Sequence, residues 1–308
     1  MKKLTALALA VLLLTGAAAA LGEVKKNEVV YARLSAEGEL KDIYIVNAFE
    51  ADEAQEVTDY GRYDAVINLS GTEPIAYQGD EARLNLPAGR YYYQGNPEQK
   101  QLPWDIAIRY TLDGKAVEDP QMLSGAAGKL EIAMDIQVRE QLAAYAGGMT
   151  LQITLTLDGD TCLNITSDKA TIALAGGKQT VAYVVLPGQS AGFSVTADVR
   201  DFAMSGIQLA GVRMNMDTEQ YQRVSENMLA GNPMAQAVGP MIDNFVKAMA
   251  GTEAQSYADA RNGAIQSLQF VMMTDEIAAP PAPTIESQPE EKPLEEGVTE
   301  RFLSLFGG

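Results

Sequence analysis

Histidine is absent from the 308 residues, and cysteine occurs once, at Cys162. Without histidine the chain cannot build a Ser-His-Asp or Cys-His catalytic group, or a zinc or iron site with imidazole ligands. A single thiol cannot form an internal disulfide or a thiolate metal cage. Stability must therefore come from burial of apolar surface, and we expect Cys162 to be a buried, inert thiol.

Positive charge is also scarce. Lysine and arginine number 23 against 41 aspartates and glutamates, which gives a formal net charge of −18. A chain this acidic repels phosphate backbones and anionic lipid, so we expect no nucleic-acid partner. The same acidity is expected of a protein that simply stays soluble outside the cell.

A long apolar run occurs at the start of the chain. Residues 4–20 follow Lys2 and Lys3 and end in small residues, which is the layout of a secretory signal peptide. We therefore expect residues 1–22 to be a signal peptide and the protein to be secreted or to lie on the extracellular face of the cell envelope. The alternative is an uncleaved anchor, because this stretch is almost long enough to span a bilayer.

From Trp104 to Met214 apolar and polar residues alternate. Leu151, Ile153 and Leu155, for example, are separated by Gln152 and Thr154, and this period of two predicts strands with one buried face. The expected fold class is all-β. We predict a small β-rich domain over residues 23–96, followed by an antiparallel, Ig-like β-sandwich over residues 104–275.

Glycine-containing turns punctuate the strands. Asp113-Gly114 and Asp158-Gly159 are typical hairpin dipeptides, because glycine accepts a left-handed backbone. Near the end of the sandwich, Leu268, Phe270 and Met272 alternate with polar or smaller residues. We predict that they form a last strand returning to the sandwich. The alternative is a helix, because so short an apolar run fits either structure.

Between the alternating region that ends at Met214 and the last strand at Leu268, the apolar spacing changes. Over residues 217–251 it has the helical period of 3.6. This predicts a small helical insertion. Nine of the 13 methionines fall between Met204 and Met273, so the insertion is either a protein-binding surface or a methionine-filled core. The candidate binding residues here are Met228, Met241, Phe245 and Met249.

Residues 279–308 are rich in proline and glutamate, a composition that predicts a disordered tail. Phe302 and Phe306 near its end are unusual for a loose terminus. They offer a weak contact with a membrane or a partner, and the alternative is a frayed end that packs against nothing.

Motifs that resemble catalytic or metal sites are incomplete. Residues 188–192 match the G-x-S-x-G nucleophile elbow around Ser190, but a strand pattern follows and the chain has no imidazole, so a glycine-rich β-turn is expected. Asp158-Gly159-Asp160 resembles the start of a calcium loop without its later ligands. We predict no catalytic residue, no metal site and no cofactor, and hence no enzyme.

Aromatic residues are few but include a cluster. Tyr91, Tyr92 and Tyr93, with Trp104, are candidates for an aromatic platform that binds sugar rings. Three successive residues of a strand point to both of its faces. The alternative is therefore that these rings are divided between the core and the sheet surface.

A family resemblance is carried by residues 27–34 with Gly38, 43–47, 57–61, 102–104, 114–115, 124–130, 198–202 and 269–271. These segments resemble exported envelope proteins of Gram-positive anaerobes, related in layout to the extracellular region of phage-infection-protein-like proteins. It implies an extracellular location and a similar architecture. Those relatives continue into long Leu-x-x-Gly heptad repeats and often a membrane span, whereas this chain has only the short helical insertion.

These observations predict an exported, non-catalytic protein that binds another envelope protein or a surface polymer, with a membrane transporter as one candidate partner. The alternative is a carbohydrate-binding or carbohydrate-active module that uses the tyrosines and loop carboxylates.

Overall fold

A computed structural model of the protein describes residues 23–213 and 254–280. The predicted signal peptide, the helical insertion over residues 217–251 and residues 281–308 of the predicted tail lie outside these ranges. Within them the chain is predominantly β, which confirms the predicted fold class. None of the helices in the described ranges has the length and apolar character that a membrane crossing needs.

The strands have the following bounds: β1 Val24–Leu34, β2 Leu40–Ala51, β3 Gln55–Tyr60, β4 Tyr63–Asn68, β5 Ala76–Gln78, β6 Glu81–Leu86, β7 Gly89–Pro97, β8 Trp104–Leu112, β9 Lys115–Val117, β10 Gly128–Val138, β11 Thr150–Asp158, β12 Cys162–Thr166, β13 Thr171–Ala175, β14 Lys178–Val185, β15 Ala191–Val199, β16 Gln208–Val212, β17 Ala254–Gln255, β18 Ala264–Ile265 and β19 Ser267–Thr274. A short helix, α1, covers Ala143–Ala146, and 3₁₀ turns cover Pro120–Leu123, Glu140–Leu142 and Ala260–Asn262.

These strands form a nine-stranded sheet in the order β13-β14-β11-β16-β19-β1-β2-β7-β4 and a five-stranded sheet in the order β12-β15-β10-β8-β9. A three-stranded sheet, β3-β6-β5, and the β17-β18 pair complete the described part. Neighbouring strands run antiparallel as predicted, except β1 and β19, which are parallel. A parallel pair needs a long crossover, and here most of the chain separates the two strands.

Both smaller sheets cover the same face of the nine-stranded sheet. Phe270 of β19 meets Trp104 of the five-stranded sheet edge to face, with ring centroids 5.4 Å apart. Val30 of β1 pairs with Phe270 and so shares its buried face. On this face of β1, Lys26 contacts Asp59 of the three-stranded sheet. The protein is therefore a sandwich in which one long sheet is covered by two short ones.

The nine-stranded sheet includes strands from both sides of the predicted boundary at residues 97–103. Strands β1, β2, β4 and β7 come from the N-terminal region, and the other five come from the predicted sandwich. Buried residues of both regions belong to one hydrophobic cluster. The two predicted units thus share a sheet and a core.

The two predicted hairpin turns have different outcomes. Asp113 and Gly114 have φ angles of 51° and 75° and join the paired strands β8 and β9, which confirms the first. The second is wrong, because β11 and β12 lie in different sheets. The Gly159 amide continues the pairing of β11 with β14 by donating to the Gly177 carbonyl at 2.8 Å, and the chain then crosses to the facing sheet, where it forms β12.

The predicted last strand is confirmed as β19, which lies between β1 and β16 in the middle of the long sheet. Leu268, Phe270 and Met272 are all at most 2 % exposed. The alternating pattern was therefore sufficient to identify a strand and its buried face.

Candidate functional site

The predicted aromatic platform is not a surface. Tyr91, Tyr93 and Trp104 are 9 %, 0 % and 3 % exposed, whereas Tyr92 points to the opposite face of β7 and is half-buried. This corrects the expectation for three of the four rings and matches the alternative division between core and surface. The reason is that Tyr91 and Tyr93 share the inward face of β7, which lies between β2 and β4. The three-stranded sheet covers this face, and its Asp59 accepts a hydrogen bond from the Tyr93 hydroxyl.

The other candidate binding residues were Met228, Met241, Phe245 and Met249 in the helical insertion and Phe302 and Phe306 in the tail. All six lie outside the described residues.

Motifs of catalytic appearance have structural roles. The predicted β-turn is confirmed, because the Gln189 amide donates to the Leu186 carbonyl at 3.0 Å and Gly188 has a φ angle of 68°. Ser190 follows this turn, and its hydroxyl accepts a hydrogen bond from the Val138 amide at 3.1 Å. Cys162 is fully buried as predicted, and burial raises the pKa of its thiol. In the described ranges, no group of three or more His, Cys, Asp or Glu side chains is placed to hold a metal ion.

The structure reveals a buried charge cluster that sequence reasoning missed. The Lys26 ammonium lies 2.8 Å from a Glu28 carboxylate oxygen and 2.6 Å from an Asp59 oxygen. The three residues are 8 %, 0 % and 2 % exposed. Polar residues at the start of β1 were a usable signal, because the apolar alternation Val30, Ala32, Leu34 extends backwards onto Glu28 and Lys26.

Hydrogen bonds from other elements complete this cluster. The Tyr93 hydroxyl donates to Asp59. Glu28 accepts from the Ser256 hydroxyl and from the Tyr257 amide, the latter at 2.6 Å. The cluster thereby joins β1, the three-stranded sheet and the segment that returns at residue 254. Its burial leaves no room for a substrate at the carboxylates, so we assign it a structural role.

The cluster has one cation and two carboxylates. Burial raises the pKa of Asp59, against the opposing effect of the Lys26 ammonium. The same desolvation raises the pKa of the Tyr93 phenol well above its ordinary value. A raised pKa of Asp59 is expected, because a single ammonium cannot neutralise two buried carboxylates.

This pKa shift predicts a pH-dependent contribution to stability. A carboxyl with a raised pKa in the folded state stabilises the fold fully below its unfolded pKa, and this contribution is lost as the pH rises through the folded pKa. We expect the stability advantage of the wild type over Asp59→Asn to shrink as the pH rises above about 4, the ordinary pKa of an aspartate. Urea unfolding of both proteins across that range measures it. If the difference in free energy of unfolding between the two proteins stayed constant or grew with pH, the pKa of Asp59 would not be raised in the folded state.

A cavity of about 670 Å³ lies beside this region. Its lining includes Tyr145, Met149 and Leu268, together with Arg213 and Gln255. The last two residues flank the range 214–253, so the chain leaves and returns to the described part at this cavity.

Several exposed apolar side chains lie on the uncovered face of the nine-stranded sheet, which we call the open face. In the described residues this face has no second layer of strands. A row of directly paired residues crosses six of its strands: Val184, Gln152, Ala210, Val271, Tyr31 and Tyr44. Val184, Val271 and the adjacent Met273 are 57 %, 39 % and 46 % exposed.

Two members of this row are aromatic. Tyr31 and Tyr44 stack with their centroids 5.1 Å apart and their planes 17° apart. Charged residues border them at one end, where Lys41 contacts Asp275 at 2.6 Å. The open face therefore combines an apolar and aromatic centre with a charged edge, an arrangement typical of protein interaction surfaces.

No family model matches this chain, and neither does any curated protein. The yeast delta-COP-I mu-homology domain is similar in structure, with 9 % sequence identity and a TM-score of 0.36. The match covers 82 % of this chain and 95 % of that one.

Proposed function

We propose that this is an exported, non-catalytic protein of the cell envelope that binds another envelope protein through the open face of its nine-stranded sheet. The resemblance of its sequence to exported envelope proteins supports the location, as does the signal-peptide layout of residues 1–22. The binding role is supported by one structural observation, the apolar row on the open face.

Exposed aliphatic side chains at this row favour a protein partner. Val184, Val271 and Met273 present apolar groups to water, and contiguous patches of this kind mark interaction sites on soluble proteins. Methionine adapts its shape to a partner, and tyrosine contributes apolar area together with a hydrogen-bonding hydroxyl. Sugar rings stack on exposed aromatic faces, whereas aliphatic groups form much of this row.

Site-specific crosslinking tests the binding role. A photoreactive amino acid at Met273, which is 46 % exposed on the open face, is expected to crosslink a distinct envelope protein in intact cells. The matched control is Leu163, which is equally exposed at 46 % but lies on the five-stranded sheet. We expect Val271→Lys to abolish the Met273 crosslink because it places a charge in the apolar row.

Equal crosslinking from positions 273 and 163, or none from either, would contradict the proposed interface. Polysaccharide in place of protein at position 273 would support the carbohydrate-binding alternative. Export is checked separately by mass spectrometry of the protein outside the cell, where we expect a chain without the first 22 residues.

A further inference from the structure

Strand β13 forms one end of the nine-stranded sheet and pairs with β14 on one side. Its sequence is Thr171-Ile172-Ala173-Leu174-Ala175, and all five residues are exposed. Its other side therefore offers a row of backbone N–H and C=O groups to another strand. This surface is separate from the open face that carries the proposed function.

Natural sheets protect such edges with charges, bulges or short strands. In the described ranges the other edge strands follow this rule. Strands β5 and β9 have three residues each, and β4 and β12 contain register shifts. Strands β17 and β18 have two residues each, and β3, an edge strand of the three-stranded sheet, includes Glu56 and Asp59. By contrast, β13 has five uncharged residues paired to β14 without a register shift.

The apolar side chains of β13 lie on one face. Ile172 pairs with Val181, which is fully buried, and directly paired residues share a face of the sheet. Leu174 is two residues further and shares that face, yet it is 73 % exposed. A leucine this exposed beside the sandwich core has no covering layer among residues 23–213 and 254–280.

The strand is complementary to itself. When two copies pair antiparallel about Ala173, each Ile172 lies opposite Leu174 of the other copy, and Thr171 lies opposite Ala175. Both cross-strand apolar pairs then form on the same face, which is the repeating contact that stabilises a sheet. A two-fold axis generates both contacts from one sequence, as in the common C2 dimers.

The charges that flank β13 favour this arrangement. The exposed Asp168 precedes the strand, and the exposed Lys178 follows the turn at its other end. Antiparallel pairing brings the Asp168 end of one copy towards the Lys178 end of the other. Two other charges lie nearby. Asp158 of β11 is paired with Lys178 within the same copy, and the Lys169 ammonium is directed elsewhere, because it donates to the Gly192 carbonyl at 3.0 Å. The strand itself is uncharged, so this edge avoids the repulsion that the net charge of −18 causes elsewhere.

We propose that two copies of this chain associate through β13, antiparallel about Ala173, and continue the nine-stranded sheet from one copy into the next. The association joins the two open faces into one surface, so a partner bound there meets two sites.

Cysteine scanning of the full chain tests both the association and its register. Opposed Cα atoms in an antiparallel pair lie about 4.5–5.5 Å apart, within the range of about 4.4–6.8 Å that a disulfide requires. Ala173→Cys is therefore expected to give a covalent dimer under a mild oxidant. In Ala175→Cys the two introduced thiols are four residues out of register, about 14 Å apart along the strand, and the chain is expected to remain uncrosslinked. Cys162 is fully buried and does not compete.

Sedimentation velocity provides the second readout without any introduced thiol. We expect the wild type to be a dimer, Leu174→Lys to be a monomer with an unchanged circular dichroism spectrum, and Val184→Lys, a matched change on the neighbouring strand, to remain a dimer. A wild-type protein that is monomeric at all concentrations would overturn the proposal. So would Ala175→Cys crosslinking as fast as Ala173→Cys.

Discussion

Replacing Lys26 with methionine is expected to lower the free energy of unfolding by about 3–5 kcal/mol, the usual cost of removing one partner from a buried ion pair. Methionine keeps an unbranched apolar side chain of nearly the same length and removes the charged ammonium group. Glu28 and Asp59, which are 0 % and 2 % exposed, then lack a cation in a region of low dielectric. Because domains are stable by only about 5–15 kcal/mol, the variant loses a large share of its stability.

Urea unfolding followed by the fluorescence of Trp104, the single tryptophan, measures this loss. Lys41→Met is the matched control. Lys41 also contacts a carboxylate at 2.6 Å, that of Asp275, but its side chain is 48 % exposed. Such surface pairs contribute about 0–1 kcal/mol. If the two variants lost similar stability, burial would not govern the strength of the Lys26 cluster.

Removing all three charges separates the cost of an unpaired charge from the value of the cluster. In the triple variant Lys26→Met, Glu28→Gln, Asp59→Asn no buried ion is left unpaired, so we expect it to be more stable than Lys26→Met alone. Part of the loss should remain, because glutamine and asparagine cannot accept every hydrogen bond that the carboxylates accept from Tyr93, Ser256 and Tyr257.

Among substitutions of apolar core residues, Trp104→Ala is expected to have the largest effect. It should lower the free energy of unfolding by about 3–5 kcal/mol. Trp104 is 3 % exposed and lies between the five-stranded and nine-stranded sheets, where its ring meets Phe270. Alanine leaves a cavity at this contact. Urea unfolding followed by circular dichroism measures the change, and Val184→Ala, at a 57 % exposed site, is expected to be nearly neutral.

A double-mutant cycle with Gly211 tests whether the ring itself is responsible. A Cβ atom at Gly211 would lie 2.9 Å from the Trp104 ring and 3.2 Å from Phe270. Gly211→Ala alone should therefore destabilise the protein by about 1–3 kcal/mol through overpacking. In the Trp104→Ala background the added methyl group has space, so we expect most of this cost to disappear. Additive losses would show that Trp104 does not fill the space next to Gly211.

The local strand patterns were readable from the sequence. Alternation identified β10, β11 and β19 and the buried face of each, because successive residues of a strand must point to opposite faces. Asp113-Gly114 likewise identified its hairpin, since a left-handed backbone is needed there and glycine permits it. These features depend on neighbouring residues in the chain.

Sheet membership was not readable in this way. Asp158-Gly159 has the same turn chemistry as Asp113-Gly114, yet it leads from one sheet to the other. The parallel pairing of β1 with β19 joins residues about 240 positions apart, such as Asn27 and Ser267, and the strand pattern alone does not specify which distant edge a strand will join. For the same reason, the sequence pattern divided the chain into two β units, residues 23–96 and 104–275, and did not indicate that strands of both belong to one sheet.

For the candidate sites, the sequence alone determined that the chain has no histidine and a single cysteine, which excludes sites built from imidazole groups or from several thiolates. It also determined which residues alternate in the strands. Tertiary structure decided which faces are covered. It buried Tyr91, Tyr93 and Trp104, paired Lys26 with Asp59 from another sheet, and left Val271 and Leu174 exposed. The physical reason is that a strand pattern specifies two faces and two edges, whereas only the packing of distant strands determines which of them meets water.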